Sequence, residues 1–138
     1  MSRTALSRSV SASLLFVLCA AIALAQAPKT PKYDKATETT LKGTVGEQKT
    51  VPGADEGTHF MLQDGDKTII LIHVGPEKFL KEIEASFTKG DKVEIVGSKV
   101  KSAEGEDEIL AREITTKDGN VIVLRDKKGE PVWHGWKL

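Results

Sequence analysis

Three strand-like runs, one amphipathic helix and then further strand-like runs, all downstream of an export-type leader, predict an all-β domain with a single helix. The helix falls between the third and fourth strands, which is where a five-stranded Greek-key barrel of the oligonucleotide/oligosaccharide-binding (OB) type carries one. A β-sandwich has little use for that helix, and an α/β sheet needs several. A sixth short strand and a tryptophan-containing tail are then additions to the barrel.

The leader comes first. Arg3 and Arg8 give a positive start, residues 14–25 are an unbroken apolar run of 12, and Ala23-Leu24-Ala25 is a small-x-small site before Gln26. This is the form of a secretory signal peptide, and the run falls short of the ~20 residues that span a bilayer as a helix. Cys19 does not read as a lipid anchor, because Leu18 precedes it and the apolar run continues past it. Cleavage near Ala25 places the mature chain in the periplasm or outside the cell, with no membrane span. Removing 25 of 138 residues leaves 113, one domain's worth, enough to bury roughly two-thirds of the surface of the unfolded chain. The only cysteine leaves with the signal, so the mature chain has no disulfide, thiolate nucleophile or cysteine-based metal or haem attachment. Lys plus Arg falls from 20 to 18 while all 20 acidic residues stay, a net charge of −2 with no overall attraction for polyanions.

Residues 26–39 are polar with Pro28 and Pro31 and read as a flexible leader, so the barrel is expected over residues 40–138. The first strand is expected over 41–48. The following Pro52-Gly53-Ala54-Asp55-Glu56-Gly57 is rich in turn formers and reads as a loop. Residues 57–63 and 67–74 form a hairpin around Asp64-Gly65-Asp66. Pro76 suits a first helical turn, and Phe79, Leu80, Ile83 and Phe87 recur at three- and four-residue spacing, which predicts a helix over 76–87 ended by Gly90. Residues 91–100 and 108–116 are the next strands, separated by an acidic loop, and 121–125 is a short sixth strand after Asp118-Gly119-Asn120.

Strand alternation nominates a site. Phe60 and Leu62 share one face of the second strand, His59 and Met61 the other. The third strand is apolar on both faces, with Ile70, Ile72 and Val74 on one and Ile69, Leu71 and His73 on the other. A strand of that kind is covered on both sides, one of them the barrel interior. Whether His59 and His73 share the outer face depends on the turn. A three-residue loop puts His73 diagonal to His59, within ~7–8 Å, whereas a two-residue turn changes the parity and sends them to opposite faces.

The functional reading of His59 and His73 is a shared ligand or metal contact, completed by His134 from the tail. The plainer reading is two polar-tipped residues bonded to backbone, since no H-x-H or H-x3-H spacing supports a ligand set. Trp133 and Trp136 flank His134 and read either as stacking platforms or, for Trp133, as packing on Met61, Ile69 and Leu71. Candidate ligand-binding residues are therefore His59, Met61, His73, Trp133, His134 and Trp136, with His59 and His73 as candidate metal ligands.

Two function classes fit less well. Single-strand nucleic-acid binding needs a basic groove with exposed aromatics on the central strands, and those strands offer only Phe60 beside acidic loops. Catalysis has no G-x-S-x-G, no H-E-x-x-H and no phosphate loop opening a helix, so no enzyme and no cofactor are expected.

Short motifs add a resemblance. Gly57-Thr58-His59-Phe60, His73-Val74-Gly75-Pro76, Gly90-Asp91-Lys92-Val93, Val96-Gly97-Ser98, Ala111-Arg112-Glu113, Leu124-Arg125-Asp126 and Gly129-x-Pro131-x-Trp133 resemble exported bacterial OB proteins. The chain is similar over residues 41–136 to the domain of the magnetosome MamS/MamX family, and more distantly to the periplasmic bacterial OB-fold family. That resemblance implies an envelope protein that binds something, with redox or iron-related roles in some relatives. Haem-bearing relatives use a C-x-x-C-H motif that this chain lacks, so no electron-transfer role carries over, and no family residue role maps onto His59 or His73. The expectation is a non-catalytic periplasmic OB-fold binding or adaptor protein that recognises a partner protein or small ligand. Oligonucleotide binding and metal handling are the alternatives.

Overall fold

The computed structural model describes residues 31–51, 57–102 and 104–136. The expected signal over 1–25 with its Cys19, the start of the leader and the loop over 52–56 lie outside the described residues. Among those described, no helix is long and apolar enough to cross a membrane.

Six strands and one helix follow in the expected order. They are β1 (Glu38–Val51), β2 (Gly57–Asp64), β3 (Lys67–Pro76), α1 (Glu77–Glu82), β4 (Lys92–Lys101), β5 (Asp107–Thr116) and β6 (Val121–Val123). The hydrogen-bonded order is β3-β2-β1-β4-β5-β6, and a parallel β3–β5 pairing closes the first five into a ring. This is a five-stranded OB-type barrel with β6 bonded outside it. The first half of the long β1 pairs with β4 and the second half with β2, with an irregularity between Val45 and Gln48 where it changes partner. Close approach explains Gly43 in this strand, because a Cβ there would lie 2.4 Å from the Gln63 carbonyl oxygen.

The interior matches the strand alternation. Phe60 and Leu62 from β2, Ile72 and Val74 from β3, Ile95 from β4 and Ile109 and Ile114 from β5 are all fully or almost fully buried. At one end Phe79, Leu80 and Phe87 close the barrel, with Phe87 against Phe60 at 5.4 Å between centroids.

Three departures from the sequence reading change the packing most. The helix ends at Glu82 rather than at Phe87, because Ile83 leaves helical geometry and Glu84 takes a positive φ of 54°. Phe87 therefore enters the core from an irregular segment whose carbonyl accepts a bond from the Gln48 amide. The sixth strand stops at Val123, where Leu124 and Arg125 both donate their N–H to the Arg112 carbonyl and break the ladder. Regular structure is also present before Thr40. Asp34 caps a short 3-10 turn over Lys35–Thr37 and bonds Ser98 Oγ through its backbone N–H at 3.0 Å.

Candidate functional site

The β2–β3 turn is two residues long, Gly65-Asp66, with Asp64 paired to Lys67. By itself that turn sends His59 and His73 to opposite faces. A bulge corrects it: Leu62 pairs with Ile70 while Gln63 pairs with Thr68, so Ile69 is an extra residue that restores the parity. From there Met61 pairs with Leu71, Phe60 with Ile72 and His59 with His73. The two histidines are thus directly opposite rather than diagonal, and they face outward beside one another.

Both rings are buried, and their centroids lie 4.2 Å apart with planes at 68°. His59 Nδ1 lies 3.0 Å from the Gly57 carbonyl oxygen, and His59 Nε2 lies 2.9 Å from His73 Nδ1. A carbonyl oxygen only accepts, so His59 Nδ1 carries the hydrogen. In the neutral pair Nε2 then accepts from the Nδ1–H of His73, which leaves a lone pair on His73 Nε2. Burial pushes both imidazoles below the ordinary histidine value. For His73, with His59 and the Arg125 cation nearby, the fall is to about 3. At neutral pH both rings are uncharged.

The outer face runs in two directions from this pair. Towards the start of β3, Met61, Ile69 and Leu71 line an open cleft of about 710 Å³ whose walls include Leu41, Ile70 and Ile109. Its rim carries both signs: Lys49, which is paired in register with His59, and Lys99 face Glu106 and Asp107. Asp107 bonds Lys101 at 2.7 Å and Lys99 at 3.4 Å, and those lysines hold its carboxyl below the usual carboxylate range. Glu108 is buried nearby opposite Leu71, and burial raises its carboxyl.

Towards the end of β3 lies the tail. Trp133 does not pack on Met61, Ile69 and Leu71. It sits on Gly75, where a Cβ would come within 3.0 Å of the indole, and against Phe79 at 5.3 Å. The reason is a cation together with a missing side chain: Gly75 leaves a flat seat, and the Arg125 guanidinium lies 5.5 Å from the Trp133 ring. Trp136 meets Phe79 edge-on at 5.1 Å and keeps 48% of its surface exposed. His134 does not complete the histidine pair. It is exposed, 3.7 Å from Glu130. Among the described residues no group of three or more His, Cys, Asp or Glu side chains is placed to hold a metal ion.

Two residues here were not nominated from the sequence. Arg125 is buried, donates from Nη1 to the Gly129 carbonyl at 3.1 Å, and lies between the rings of Tyr33 and Trp133. Tyr33, from the supposedly flexible leader, donates its hydroxyl to Glu38 at 2.5 Å, and Arg112 grips the same carboxylate at 3.1 and 3.2 Å. Burial, with the Glu38 carboxylate adding to it, pushes the Tyr33 hydroxyl up to about 12. An arginine directly after a buried leucine was the available signal.

A family model for the MamS/MamX magnetosome proteins matches residues 37–121, more than half of the chain. The chain belongs to the MamS/MamX family. The matched span runs from before β1 to the start of β6 and so contains His59, Met61 and His73, while Arg125, Trp133, His134 and Trp136 follow it. No curated protein matches the chain in sequence. In this MamS/MamX-family chain the histidine pair thus lies within the shared barrel, and the aromatic tail lies beyond the matched span.

Proposed function

We propose that this protein is an exported, non-catalytic binding protein of the bacterial periplasm that recognises a small ligand or a partner protein on the outer face of the β2–β3 hairpin. The observation that carries this reading is the open cleft lined by Met61, Ile69 and Leu71, with the buried histidine pair next along the same two strands. A sheet face that combines an apolar floor with a few fixed polar groups is what orients a ligand. The two imidazoles bond each other and a backbone carbonyl, whereas general-base work needs the base oriented towards a nucleophile, so recognition fits better than catalysis. The mixed charges of the rim, Lys49 and Lys99 against Glu106 and Asp107, do not favour a polyanion. The family's name links its members to magnetosomes, and an envelope-binding role is compatible with that link.

Native mass spectrometry of the protein recovered from the envelope fraction tests the proposal. The expected result is a stoichiometric companion mass that is lost in Leu71→Asp and kept in Lys42→Ala, which alters a different surface. A chain recovered only from the cytoplasm, or a companion kept equally by both variants, overturns it.

A further inference from the structure

The nitrogen atoms of the histidine pair narrow the ligand's chemistry. His59 Nε2 and His73 Nδ1 point at one another at 2.9 Å across directly paired residues, with a single hydrogen between them. His59 is also held from behind, its Nδ1–H on the Gly57 carbonyl at 3.0 Å. That backbone support is what metal-bound imidazoles have, because it fixes the tautomer and aims the other nitrogen. Met61 stands two residues along the same face, with no irregularity between it and His59, half-buried at the wall of the cleft.

We propose that His59 Nε2 and His73 Nδ1, with the Met61 thioether as third donor, form a binding site for a cuprous ion; this rests on the outer-face binding reading and names its ligand class. Bonds of about 2.0–2.1 Å from each nitrogen replace the hydrogen bridge and widen the pair by roughly 1 Å or less. The displaced hydrogen moves to His73 Nε2, so the ion enters with no proton released and no electron transferred. Two neutral imidazoles and a thioether make a soft set without carboxylate or thiolate, which selects Cu(I) among the common ions. The Arg125 cation lies within electrostatic reach of His73, and a singly charged ion suffers less repulsion from it than a dication does. Of the three donors, Met61 alone lines the open cleft.

Anaerobic titration of the purified chain with Cu(I), in competition with a chromogenic chelator such as bicinchoninate, decides the matter. The wild type is expected to withdraw one equivalent. His59→Ala and His73→Ala are expected to lose that uptake by at least about 100-fold and Met61→Leu by about 10-fold, while Zn(II) is not retained at the same concentration. Thermal melting of each variant guards against unfolding, and Met61→Leu, a volume-conserving change, keeps the test alive if the histidine variants fail to fold. A folded wild type that withdraws no Cu(I), or uptake that survives both histidine changes and Met61→Leu, overturns the proposal. If copper is refused while a companion mass is still lost in Leu71→Asp, the copper site falls and the binding reading stands. If neither is seen, both fall.

Discussion

The two ends of the outer β3 face are built from similar apolar material and put to opposite use. At the Gly75 end, Trp133, Phe79, Trp136, Arg125 and Tyr33 cover one another, so aromatic surface that looked free for stacking is spent on closing the fold. At the Ile69 end the same strand leaves Met61, Ile69 and Leu71 around an open cleft, with Ile69 45% exposed. The histidine pair stands between them. The contrast teaches that exposed aromatics in a sequence are poor guides to a site when a tail can fold back on them, and that an apolar strand face left uncovered is the better guide.

Breaking the closed end has the largest expected effect. Phe79→Ala removes a buried ring that both tryptophans rest on and is expected to cost about 3–5 kcal/mol, read by thermal unfolding together with a red shift of tryptophan emission. Unshifted emission would show that the indoles do not depend on the helix. Deleting residues 131–138 uncovers Gly75 and Phe79 and is expected to cost about 2 kcal/mol and to raise binding of a hydrophobic dye. A tail that is only a loose lid predicts no change in either measurement.

The tether of Tyr33 is a smaller part of the same end. The Tyr33 hydroxyl first, then Arg112, holds the Glu38 carboxyl below its ordinary 4.5. A depressed carboxylate contributes stability that is fully present above the unfolded value and is lost as pH falls through the lower folded value. Glu38→Gln is therefore expected to cost about 1 kcal/mol at neutral pH and to flatten the loss of stability below about pH 4.5. Urea melts of both proteins across pH 3 to 7 read this, and parallel acid limbs would contradict it. The smallest stability effect belongs to the open end. Ile69→Thr is expected to move stability by no more than about 0.5 kcal/mol while weakening whatever occupies the cleft. A large loss of stability there would mean the cleft is core rather than site.

Much of the barrel was legible because its signals are local. Period-two alternation in β2 and β3, the Asp64-Gly65-Asp66 turn and Pro76 before a helical run all depend on a few neighbouring residues. The helix length was not legible, since Phe87 satisfies the helical spacing yet reaches the core from beyond Ile83 and Glu84. His59, Met61 and His73 were nominated from alternation alone. Trp133 packs at the opposite end of the strand from Met61, Ile69 and Leu71, and nothing local says that Gly75 is its seat.

What the sequence determined by itself is the order of elements, the apolar faces of the strands and the presence of two histidines on the central hairpin, each a property of short-range pattern. The tertiary structure alone decided that the histidines meet. The two-residue turn separates them, and only the extra residue at Ile69 returns them to one face, a bulge set by how β2 and β3 pair while closing on β1 and β5. It also decided that Arg125 and Tyr33, 92 positions apart, pack together. Such contacts are set by packing between distant segments, which no local pattern encodes.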